Sequence, residues 1–141
     1  MKKISLGLIL VLFLCSNTFA GIIELKKCNF GGREFNPKQY LKKSIVIDTD
    51  KNVLQLVTVM TDNYYKDQQQ VFLKTFGDTK YLDKISVLEY KIIYSDSMFA
   101  KGESNLDDGS SISTIEIDIK KKTAYYKMHQ NINEPTKFTC E

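Results

Sequence analysis

One histidine (His129), three cysteines, two prolines and no tryptophan occur in 141 residues. Each scarcity closes off a kind of chemistry. Zinc sites take three or four His, Cys or acidic ligands, so clusters built on His and Cys are nearly excluded. No Cys-x-x-Cys dithiol and no Gly-x-Ser-x-Gly nucleophile elbow is present. Gly31-Gly32 is a bare doublet without the Lys-Ser/Thr or third glycine that phosphate-cradling loops use. Pro37 and Pro135 stand alone and no long Gly/Ser tract occurs, so nothing reads as a linker and one domain fits the length. The chain is 43% apolar and 26% charged, which suits a globular domain and excludes a disordered, collagen-like or coiled-coil one.

What is present begins with an address. Met1-Lys2-Lys3 is a short basic start, Ile4 to Leu14 is apolar but for Ser5 and Gly7, and Thr18 and Ala20 supply the small −3 and −1 residues of a cleavage site. Residues 1–20 therefore read as a cleaved secretory signal. The apolar run falls well short of the roughly 20 residues a membrane span needs. Cys15 follows Leu14 rather than the small residue a lipoprotein signal requires, so Cys15 is expected to leave with the signal. Residues 21–141 form the mature domain, periplasmic or secreted, with no transmembrane span. Without Lys2 and Lys3 there are 18 basic against 17 acidic residues, net +1, so no field of one sign recruits nucleic acid.

Two cysteines survive cleavage, Cys28 and Cys140, one near each end. In an oxidising compartment a lone pair of thiols is expected as a disulfide. The chain-entropy account assigns a loop of this size about 4–5 kcal/mol.

Alternation dominates the mature chain. Ile45 and Ile47 share a face, a turn follows around Asp50-Lys51-Asn52, and Val53 to Met60 returns as a hairpin partner. Ile85 to Tyr94 is the most secure strand, with Leu88, Tyr90, Ile92 and Tyr94 on one face. Met98 to Glu103 reads as a further strand, and Leu106 to Ser110 as a tight turn. Ile115, Ile117 and Ile119 then oppose Glu116, Asp118 and Lys120, and Thr123 to Met128 runs back. The pattern Ile-x-Ile-Asp-x-x-Lys occurs at 45–51 and at 115–121, most simply one hairpin solution used twice. Asn36-Pro37 to Lys43 has the N-cap and first-position proline of a short helix. Tyr64 to Phe76 fits either a helix closed by Gly77 or an alternating strand, and the hairpin order around it favours the strand. The fold class is all-β with room for one short helix: a single antiparallel sheet closed or folded into a small barrel or sandwich. An outer-membrane barrel is not expected, since it needs about ten residues of alternation per strand in eight or more copies.

Candidate chemistry is thin. Asp48-Thr49-Asp50-Lys51-Asn52 opens like a calcium loop, but Val53 and Val59 stand where glycine and a bidentate glutamate belong. Glu116 and Asp118 have a spacing near that of a glycosidase pair, yet they oppose the isoleucine face beside lysines. His129 is the only candidate base and sits in a polar stretch. Tyr90, Tyr94, Tyr125 and Tyr126 are the candidate binding surface, since amphipathic rings make good anchors.

The Cys28-Asn29-Phe30-Gly31-Gly32 opening, the β-rich middle and the cysteine at the end resemble the small periplasmic lysozyme inhibitors. The Ser-Gly…Tyr element of their inhibitory loop has no counterpart that can be placed here, so no site is carried over. The expectation is a small exported β domain that binds a protein partner or envelope component, with no catalysis and no cofactor. Two alternatives are a hydrolase using His129 or exposed carboxylates, and a small-ligand carrier with an apolar barrel interior. A packed core argues against the carrier, and a cavity of several hundred Å³ lined by Tyr and Phe argues for it.

Overall fold

The structure is a computed structural model, which describes residues 21–30, 34–105, 111–129 and 135–141. The signal read over 1–20, the turn over 106–110 and the polar residues 130–133 lie outside the described residues. The strands are β1 (Ile22–Leu25), β2 (Tyr40–Asp48), β3 (Val53–Met60), β4 (Ile85–Ser95), β5 (Phe99–Asn105), β6 (Ser111–Asp118), β7 (Thr123–Met128) and β8 (Thr136–Thr139). One helix, α1 (Asp62–Phe76), joins β3 to β4. The strands form one antiparallel sheet in sequence order, β1 to β8, curled into a half-barrel. The fold is all-β with one helix, and a half-barrel rather than a two-sheet sandwich.

The period of two explains the core. Ile45 and Ile47 of β2, Leu54 of β3 and Ile115 and Ile117 of β6 are almost wholly buried, because alternate residues of each strand point inward. Tyr90 and Ile92, Ala100, Ala124 and Phe138 join the same core, with Leu25, Cys28, Phe30 and Leu56. Small residues make room for large ones: a Cβ added at Gly102 of β5 would lie 2.8 Å from the Cβ of Tyr90. The inward side chains form one hydrophobic cluster.

The two sequence echoes fold alike. Asp48 accepts from the Lys51 amide at 3.0 Å, and Asp118 from the Lys121 amide at 2.9 Å. The next residue, Asn52 or Lys122, then takes the left-handed conformation, at φ 56° and 53°. Asp48-to-Asn52 is thus a hairpin turn.

The outer strands are stapled. Cys28 and Cys140 form the expected disulfide, across 112 positions. Beside it, the Asn29 amide donates to the Thr139 carbonyl at 3.0 Å and the Glu141 amide to the Lys26 carbonyl at 2.9 Å.

Three expectations are corrected. First, the 64–76 segment is helical, not a strand. Thr61 caps it, accepting from the Tyr64 amide, and Gly77 closes it at φ 79°. These caps satisfy end groups that alternation leaves out of account. Second, the short helix over 36–43 does not form. Asn36 and Pro37 enter a turn in which Asn36 Oδ1 accepts from the Lys38 amide, and β2 starts at Tyr40. Third, Tyr94 leaves the face shared by Tyr90 and Ile92. A register shift between Ile92 and Tyr94 inserts Ile93 and turns Tyr94 outward, opposite Lys101. Leu88 still falls in the inward phase of β4, yet it is 56% exposed. Its pairing with β5 is missing, since that pairing starts only at Lys91–Glu103. Among the described residues no helix is long and apolar enough to cross a membrane.

Candidate binding groove on the outer face

Register across four strands builds a groove on the outer face. Tyr94 pairs with Lys101, Lys101 with Glu116, and Glu116 with Tyr125. Directly opposed residues in a sheet share a face, so these four form one row on the outside of β4–β7. Lys101 Nζ and the Glu116 carboxylate meet at 2.6 Å in the middle of the row. Tyr94 and Tyr125 flank them, 55% and 43% exposed. Phe99 and Asp118 continue the same face one row on, and the whole lines a groove of about 490 Å³.

The turn after β4 holds one wall in place. Asp96 accepts from the amides of Met98 and Phe99 at 2.7 Å each and from the Tyr94 hydroxyl. The Tyr94 hydroxyl, followed by those two amides, holds the Asp96 carboxyl below the usual aspartate range, and the carboxylate in turn pushes the Tyr94 phenol up. At neutral pH Asp96 is therefore the acceptor and Tyr94 the donor of this bond.

The four tyrosines read from sequence fall on opposite sides of the sheet. Tyr94 and Tyr125 border the groove. Tyr90 is 4% exposed, and burial raises its phenol pKa against a hydrogen bond with Ser113. Tyr126 is half-buried and stacks on Phe138 with ring centres 6.2 Å apart. The structure brings in Asp96, Phe99 and Lys101, which residue patterns alone do not single out. The available signal is Asp96-Ser97, a turn pair between two strand-like runs.

The carboxylates of the groove are committed to lysines. Glu116 pairs with Lys101, and the Lys121 amide lowers the Asp118 pKa, with the Lys121 ammonium adding to it at 3.1 Å. A general acid at neutral pH needs the opposite shift. His129 is exposed just beyond β7 and does not line the groove. Among the described residues no group of three His, Cys, Asp or Glu is placed to hold a metal.

The fold and groove define a disulfide-closed, eight-stranded antiparallel half-barrel with a tyrosine-flanked outer face. Comparison with protein families, with curated proteins and with solved structures finds no match to any of them.

Proposed function

We propose that this chain is an exported binding domain, cleaved after Ala20, that engages a protein partner or envelope component through the groove between Tyr94 and Tyr125 and carries no catalytic group. The observation that carries this reading is the in-register row Tyr94–Lys101–Glu116–Tyr125, with Phe99 beside it. Exposed aromatic rings around a concave surface are the usual anchors of recognition, and a central ion pair sets orientation more than strength. The Asp96 bond to Tyr94 lowers the ordering cost of binding. A disulfide between distant cysteines fits an oxidising compartment.

The test is a pull-down from the organism's own envelope with the mature chain as bait, run beside the Tyr94→Ala/Tyr125→Ala variant. Both side chains are exposed, so the variant should melt close to the parent. A partner retained by the parent and lost by the variant supports the groove. Identical retention by both sinks it.

A further inference from the structure

The outer groove bears two marks of what it takes, its charge balance and its length. Among the described residues its lining has two lysines and two carboxylates, and these pair with one another. Lys101 meets Glu116 at 2.6 Å, and Lys121 meets Asp118 at 3.1 Å. An ionic ligand would have to break one of these pairs and leave a charge without its partner. A neutral polar ligand leaves both intact. A paired carboxylate, with about four lone-pair sites, still accepts, and a paired ammonium keeps N–H bonds to donate. Donors and acceptors thus stand side by side along the groove, with the Thr123 hydroxyl beside them. That arrangement suits hydroxyl groups, each of which both donates and accepts.

The apolar part of the groove is aromatic. Tyr94, Phe99 and Tyr125 all line it and all are exposed. A sugar ring carries hydroxyls at its rim and a patch of C–H bonds on its face, and that patch rests well on the electron-rich face of an aromatic ring. Tyr94 and Tyr125 are three strand spacings apart along the row β4–β5–β6–β7. At roughly 4.8 Å per spacing that is about 14 Å, longer than one sugar ring. The groove volume, about 490 Å³, is that of a small-ligand cleft.

We propose that the groove takes a neutral glycan chain, its sugar rings on Tyr94, Phe99 and Tyr125 and its hydroxyls on the Lys101–Glu116 and Lys121–Asp118 pairs. This rests on the reading of the groove as the binding surface and names the chemistry of its ligand.

N-acetylated chitotriose, cellotriose and maltotriose, with trigalacturonate as the anionic counterpart, are titrated calorimetrically into the mature chain. At least one neutral trisaccharide should bind, at least about tenfold more tightly than its own monosaccharide, because the row is longer than one ring. Its affinity should hold when salt is raised, since no charge is neutralised on binding. Tyr94→Ala/Tyr125→Ala should weaken it at least about tenfold. Lys51→Ala, at the matching turn of the other hairpin, should leave it unchanged. No neutral trisaccharide bound at millimolar concentration, a preference for trigalacturonate, or equal binding by the Tyr94→Ala/Tyr125→Ala variant would overturn the proposal. The two readings fail separately: a protein partner retained by the parent and lost by that variant, with no trisaccharide bound, keeps the groove and removes the glycan.

Discussion

Hairpins β2–β3 and β6–β7 share a turn and an inward isoleucine pair, yet of the two only the second contributes to the groove, which it forms with β4 and β5. In both, an aspartate accepts from the amide three residues on and pairs with that lysine's ammonium, at 3.5 Å for Asp48–Lys51 and 3.1 Å for Asp118–Lys121. Ile45 and Ile47 face Leu56 and Leu54, while Ile115 and Ile117 face Tyr126 and Ala124. The outward positions are where the hairpins part. Gln55 opposes Val46 on the first, whereas Tyr125 opposes Glu116 on the second. Burial and turn closure impose one solution on the inside and at the tip. The outside is under no such demand, and the proposed binding groove lies there.

The bridge joins the hairpins' outer neighbours, since β1 lies beside β2 and β8 beside β7. Replacing Cys28 and Cys140 by serine should cost about 2–5 kcal/mol in urea unfolding. Free thiols in the unreduced, denatured parent would contradict the bond itself. Ile45→Ala and Ile115→Ala remove matched, fully buried side chains, and each should cost about 2–5 kcal/mol. A cost confined to one hairpin would show that their interiors are not equivalent.

The turns offer a finer test. Asp118 has its pKa lowered by the Lys121 amide first, so folding favours the charged form. Its contribution is therefore present above the ordinary aspartate pKa, about 3.9, and is lost as pH falls through the lower folded value. Stability should fall below about pH 4, and Asp118→Asn should flatten that part of the profile. Lys122 holds a left-handed conformation that Asn52 adopts more readily in the first hairpin. Lys122→Asn should thus stabilise the chain by about 0.5–1 kcal/mol in the same unfolding assay. A loss of stability would mean that the two turns differ in more than this side chain.

The strands were legible because their alternation is the direct imprint of one buried face, as at 45–47 and 115–117. The helix was not, because α1 buries no residue completely and so leaves a weak apolar stripe. Its readable marks are its ends, Thr61 and Gly77. At Asn36-Pro37 the capping residues are real, but the Asn36 side chain turns onto the Lys38 amide and the chain enters a strand. Tyr94 shows the sharpest limit: one inserted residue, Ile93, exchanges inside for outside, and nothing in the alternation announces it. The groove joins residues from 94 to 125 through strand register, so its members are not neighbours along the chain. Cys28 and Cys140, by contrast, were readable from number alone.

The proposed recognition surface lies on the outer face of β4–β7, and the two equivalent turn lysines supply a matched probe. Lys51 and Lys121 occupy the same turn position, each with a side chain 77% exposed, and of the two only Lys121 borders the groove. A photo-crosslinking residue placed at 121, with the chain expressed in its own cells, should yield a discrete adduct that the same residue at 51 does not. Adducts of equal yield at both positions, or at 51 alone, would contradict the account.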